Sequence, residues 1–159
     1  MTYIQWFDAH ALKHKKIIEK LLAPQGHLLA NAQGTSGKSK EEIIEYFRFE
    51  NMVKSEPNFC LLYAENKKCH DIAYLSCYLC ACPHFRFNDK GVKEVEKKMQ
   101  KSFCAIDSKE GAQSIYGDTI HQDCSNCHIP HAKSYVEKNF DLDWKRIMRY
   151  SIVNPAHSI

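Results

Sequence analysis

Cys77-Tyr-Leu-Cys80-Ala-Cys82-Pro83 decides how this chain is read, and Cys124-Ser-Asn-Cys127 answers it further along. A C-x-x-C turn aims two thiolates at one centre, and two such turns brought together make a four-thiolate zinc site. The same turns also supply ligands to iron–sulfur clusters. The remaining thiols are Cys60, Cys69 and Cys104, so all eight cysteines fall in one stretch and none lies in the first third or the C-terminal tail. Such confinement favours thiolate ligation over scattered buried thiols.

Spacing bears on which metal. In an extended stretch Cys80 and Cys82 share a face roughly 6.6 Å apart, from a rise of about 3.3 Å per residue. Two thiolates on one tetrahedral zinc sit roughly 3.8 Å apart, given a Zn–S bond of about 2.3 Å. The wider spacing favours an iron–sulfur cluster, of the four-iron four-sulfur type, with zinc as the alternative or as a second metal; a tight turn at Ala81 would close the gap. Cys77, Cys80, Cys82, Cys124 and Cys127 lead as cofactor ligands, and Cys60, Cys69 and Cys104 complete the metal-ligand set.

The 159 residues suit one compact domain, or one with a helical appendage. Formal charge is only +3, and the lysines from Lys93 to Lys101 alternate with glutamates, which describes a solvated face and argues against nucleic-acid binding. No run of about 20 apolar residues is present to span a membrane. Met1 to Leu22 is amphipathic and charged, without the apolar centre of a signal peptide. A cytoplasmic location is expected, where a reducing milieu disfavours disulfides.

Ile4, Phe7, Ala11, Ile18 and Leu21 recur at helical spacing, predicting a helix from Thr2 to Leu22 that ends before Pro24. A Gly-, Gln- and Ser-containing loop follows from Gln25 to Lys38. Ser39 with Glu42 forms a capping box that opens a helix through Ile43, Ile44, Phe47 and on to Met52, closed by Pro57. Beyond Asn58 short strands are predicted near Phe85 to Phe87 and Ser114 to Tyr116. Val92, Val95 and Met99 suggest a short helix, Tyr135 to Phe140 another. A last helix starts near Asp141 with Trp144, Ile147, Met148 and Ile152 on its apolar side. The fold class is therefore α+β: a small metal-stabilised cysteine-rich domain with short strands and loops over 58–140, between an N-terminal helical segment, 1–57, and a C-terminal helix and tail, 141–159. With few periodic apolar runs, the middle segment is expected to draw folding energy from metal. The N-terminal helices are expected to offer a surface to a protein partner.

Cys77-x-x-Cys80-x-Cys82-Pro83, followed by Asp123-Cys124-Ser-Asn-Cys127 and Ile129-Pro130-His131, resembles the cysteine-rich small domain of bacteria and archaea. Cys60 and the Cys69-His70 pair match its leading cysteines, and the resemblance runs from about Asn58 to Phe140. It implies a metal-binding domain, either stand-alone or fused to cobamide-pathway enzymes such as threonine-phosphate decarboxylase and adenosylcobinamide amidohydrolase, and hence a redox or accessory role in cofactor metabolism. Three features depart from the pattern: the longer interval from Cys60 to Cys69, His128 in place of an aliphatic residue, and no glycine-rich surround at Cys104.

Other motifs carry less. Cys124-Ser-Asn-Cys127-His128 has the spacing of c-type haem attachment, which needs export that this N-terminus does not support. Ala32 to Ser39 satisfies a relaxed P-loop pattern but follows no convincing buried strand, so a loop and helix cap is the better reading. His70, His84, His121 and His131 lie near cysteines and could replace a thiolate or hydrogen-bond to one. Asp123 is expected to cap the turn at Cys124. A cluster-dependent enzyme with an open iron site stands beside the redox and zinc-adaptor readings, and no acid–base pair is evident.

Overall fold

A computed structural model describes residues 1–23 and 37–155. The order of elements is helix α1 (Tyr3–Leu22), α2 (Lys40–Tyr46), α3 (Phe49–Ser55), a 3-10 turn (Leu61–Glu65), strands β1 (Phe85–Phe87), β2 (Lys93–Val95), β3 (Lys98–Gln100), β4 (Ser102–Cys104), β5 (Ala112–Tyr116) and β6 (Thr119–Asp123), a second 3-10 turn (Ile129–His131), then α4 (Lys133–Lys138) and α5 (Trp144–Ile147). Helices and short strands together make this an α+β fold, as the sequence predicts. Most of the glycine-containing loop and of the P-loop-like stretch lies outside the described residues.

The helical caps follow local chemistry. Thr2 accepts from the Gln5 amide and Gln5 returns a bond to the Thr2 amide, closing the first turn of α1; Ser39 and Glu42 do the same for α2. The helix predicted to run from Ser39 through Met52 is instead two, broken at Arg48, whose backbone is extended. The break is used: the Phe49 amide donates to the Leu75 carbonyl at 2.9 Å, and the Cys77 amide to the Phe47 carbonyl at 2.8 Å. An unbroken helix would have kept those groups for itself.

Two strand pairings organise the middle. Strands β1 and β4 are antiparallel, with Phe85 opposite Cys104. A four-stranded sheet runs β2-β3-β6-β5, with β3 and β6 parallel and the other pairs antiparallel. The helix expected from Val92, Val95 and Met99 is therefore corrected to a hairpin. Glu96 and Lys97 both take positive φ, +48° and +67°, to make its two-residue turn, and β6 covers the outer edge of β3. Lys, Glu and Met favour helix locally, but pairing with β6 overrides that preference. The last helix is shorter than predicted as well. Asp143 caps α5, Trp144, Ile147 and Met148 are buried, and Ile152 lies beyond the helix, half exposed, bridging to Phe87.

The main core draws on all three sequence segments: Phe7, Ile18 and Leu21 of α1, Phe47, Phe49 and Met52 around the helix break, Leu75 to Leu79, Val136, and Trp144 to Met148. By contrast the four-stranded sheet has one buried apolar side chain among the described residues, Ile120, and it stands outside that cluster. Burial of apolar area is the chief stabilising term in folding. The sheet lacks it and needs another source of order.

Candidate metal centre

The Cys77 turn is built from the core outward. Tyr78 and Leu79, the two residues between Cys77 and Cys80, are fully buried, and the Tyr78 hydroxyl donates to the Asp141 carbonyl at 2.7 Å. The chain then reverses. The Cys82 amide donates to the Leu79 carbonyl at 3.0 Å, and Ala81 and Cys82 both take positive φ, +86° and +55°. Cys80 and Cys82 thus lie in a tight turn and not in the extended stretch on which a shared face was expected, and they join different sets of neighbours.

Cys80 faces Cys77, Cys69 and Cys60. Contact with Cys77, together with burial, pushes the Cys80 thiol well up, while the hydrogen bond from Cys80, helped by Tyr63, holds Cys77 below the ordinary thiol range. The Tyr63 hydroxyl is buried without a well-formed hydrogen bond yet lies beside the Cys77 sulfur. It is a donor awaiting a better acceptor, which a thiolate at Cys77 would be. Cys69 is the one exposed cysteine, but partial burial of its thiol still pushes it up to about 11.

Cys82 faces Cys104 and Cys127, and Cys124 faces Cys82, Cys127 and Cys104. Strand pairing explains the convergence: β1 leaves the Cys82 turn and lies against β4, which ends at Cys104, while β6 delivers Cys124 and its turn. The Asp123 carboxylate caps that turn by accepting from the Ser125 amide at 2.9 Å. The His84 amide donates to the Cys82 sulfur at 3.4 Å, and the Ser108 hydroxyl lies 3.4 Å from the Cys127 sulfur. Burial pushes Cys82 up to about 11 and Cys124 to about 12. Without a cation these two thiols stay protonated at neutral pH; a bound metal reverses that balance and releases protons.

Between the two groups lies a cavity of about 440 Å³. Cys69, Cys80, Cys82, Cys104, Cys124 and Cys127 line it, and Tyr3, Trp6, Phe7, Phe85 and Phe87 give it an aromatic wall. At its edge the donor atoms of Cys69, His70 and His131 all lie within 4.8 Å of one another, the one such group of three among the described residues. No three cysteine sulfurs come that close together.

All eight predicted ligands therefore belong to one of two thiol groups, and the five leading ones are divided, Cys77 and Cys80 in the first and Cys82, Cys124 and Cys127 in the second. All cysteines are unbridged. Of the histidines, His70 and His131 face a sulfur, whereas His84 pairs with the Tyr135 hydroxyl at 2.6 Å and His121 with that of Tyr3 at 2.5 Å. His128 is exposed and packs edge-on against His70. Tyr63, Ser108 and the aromatic wall carry no motif and were not legible in the sequence. Among the described residues no helix is long and apolar enough to cross a membrane. No family model, curated protein or solved structure matches the chain.

Proposed function

We propose that this is an iron–sulfur protein in which Cys82, Cys104, Cys124 and Cys127 hold a four-iron four-sulfur cluster, acting as a redox or accessory protein in the cytoplasm. The observation that carries the reading is the spread of these sulfurs: four thiols from three separate loops face one another on one cavity, yet no three approach within 4.8 Å. A single tetrahedral zinc draws its thiolates to roughly 3.8 Å. A cluster binds each thiolate to a different iron and spaces them wider. Membership of the cysteine-rich small domains, and with it a link to cofactor metabolism, belongs to the same proposal. So does a protein partner, for which Trp6, Leu12 and Leu22 of α1 remain exposed.

A second reading has its own support. The Cys77 and Cys80 thiols shift one another in opposite directions, a closeness that favours zinc as a second metal in the first group.

Anaerobic purification followed by iron, sulfide and zinc analysis tests both. Iron and sulfide in equal amounts, with broad visible absorption bleached by dithionite, is the expected result; a colourless protein holding zinc alone would leave only the second reading. The Cys124→Ser/Cys127→Ser variant should lose iron and keep zinc.

A further inference from the structure

Beyond the thiolate groups, we propose that Cys69, His70 and His131 form a separate mononuclear site for a borderline-soft divalent cation of the Zn²⁺ class. The His131 Nδ1 lies 2.8 Å from the Ser76 carbonyl oxygen, and the His70 Nε2 lies 3.0 Å from that of Cys124. A carbonyl oxygen only accepts, so both of these ring nitrogens carry hydrogen, and the hydrogen-bond network assigns the tautomers. In the neutral rings the lone pairs then sit on His131 Nε2 and His70 Nδ1. Those atoms point at one sulfur: the Cys69 Sγ is 3.8 Å from the first and 3.1 Å from the second.

One S–H proton satisfies one lone pair and leaves the other facing sulfur. A cation satisfies all three at once. The outward N–H of a metal-binding histidine is regularly held by a backbone carbonyl, which orients the ring and raises its basicity. Here both rings are held that way, and the Ser76 amide in turn donates to the His131 carbonyl at 3.0 Å, closing a reciprocal pair. Two imidazoles and a thiolate suit zinc and its neighbours better than calcium or magnesium. Three protein ligands beside an open cavity leave a fourth position for water or a small anionic ligand, the arrangement of sites that activate a bound molecule. His70 also touches the Cys124 turn, through the Cys124 backbone carbonyl alone, leaving the Cys124 sulfur to the second thiol group.

The decisive measurement is zinc stoichiometry and Co²⁺ spectroscopy on the full chain, purified anaerobically, with His70→Ala, His131→Ala and His84→Ala compared. Wild type and the His84 variant should bind one zinc equivalent more than either of the other two, with iron and sulfide unchanged in all four. Added Co²⁺ should give ligand-field bands that vanish in His70→Ala. His131 is buried, so the half-buried His70 position decides if His131→Ala does not fold. Unchanged zinc in a folded His70→Ala would overturn the site and return Cys69 to the first thiol group. Absence of iron in the wild type would sink the cluster reading alone and leave the zinc difference still readable.

Discussion

Two histidines in the main core set an acid limit on this fold. His10 and His14, one turn apart on α1, are buried, His14 completely. His10 is stacked on Trp6 with ring centres 4.6 Å apart and lies 5.0 Å from Trp144; His14 sits 4.9 Å from Phe47 and 4.6 Å from Tyr78. The His10 Nε2 and both ring nitrogens of His14 lack a well-formed hydrogen bond, and desolvation lowers His10 to about 3 and His14 to about 4. In the unfolded chain both titrate near 6.5, so below that pH the unfolded state binds protons that the native state refuses, and stability falls as pH falls until about pH 4. At pH 5 each ring lies about 1.5 units below its unfolded value and above its native one, which is roughly 2 kcal/mol per ring, or about 4 kcal/mol together. A domain of this size has a total of about 5–15 kcal/mol. Urea unfolding at pH 7 and pH 5 should show that loss in the wild type and not in a His10→Leu/His14→Phe variant. Metal release on acidification affects both proteins and cancels in the comparison. Parallel pH dependences in the two would refute the reasoning.

Tyr63→Phe removes a buried hydroxyl without a well-formed hydrogen bond; stability measured with chelator present should rise or hold within about 1 kcal/mol, while metal of the first thiol group should leave faster in a chelator competition. Replacing Glu96 and Lys97, both at positive φ, by Asn-Gly should raise stability by roughly 1 kcal/mol in thermal unfolding, because those residues adopt that turn without strain. In the Cys124→Ser/Cys127→Ser variant, hydrogen exchange should lose protection across β3 to β6 while the amide of Cys77, bonded to Phe47, stays protected.

The amphipathic α1, the Ser39–Glu42 capping box and strands β1 and β5 were legible because each rests on local chemistry: apolar spacing, a Ser three residues before Glu, or a β-rich run. The β2–β3 hairpin was not, since its residues favour helix and only the distant strand β6 holds them extended. The helix break at Arg48 was hidden for the same reason, its partners being Leu75 and Cys77. At the site, cysteine spacing pointed to metal but could not divide the ligands. Sequence proximity groups Cys80 with Cys82, whereas the reversal at Ala81 separates them. A tight turn at Ala81 is open to the sequence reading, but as one that would bring the two thiols together, not part them.

The placement of the two groups predicts that metal and fold would depend on each other unequally. The first group hangs from a turn whose intervening residues, Tyr78 and Leu79, belong to the main core, so its geometry is set before any ion arrives. The second joins the ends of β4 and β6 to the Cys82 turn; β6 belongs to the four-stranded sheet, whose one buried apolar side chain among the described residues is Ile120, while β4 is paired with β1. Backbone pairing alone does not stabilise short strands in water. Ligation by the four proposed thiolates would supply the stabilising term that remains, acting where the hydrophobic core stops. The aromatic wall from α1 and β1 lines the cavity between the groups with apolar surface, which lowers the local dielectric and strengthens charge interactions made against it. A reducible cluster in such a position would sit beside α1, whose Tyr3 lines the same cavity with its hydroxyl 3.0 Å from Ser102 and its ring 5.3 Å from that of Phe87.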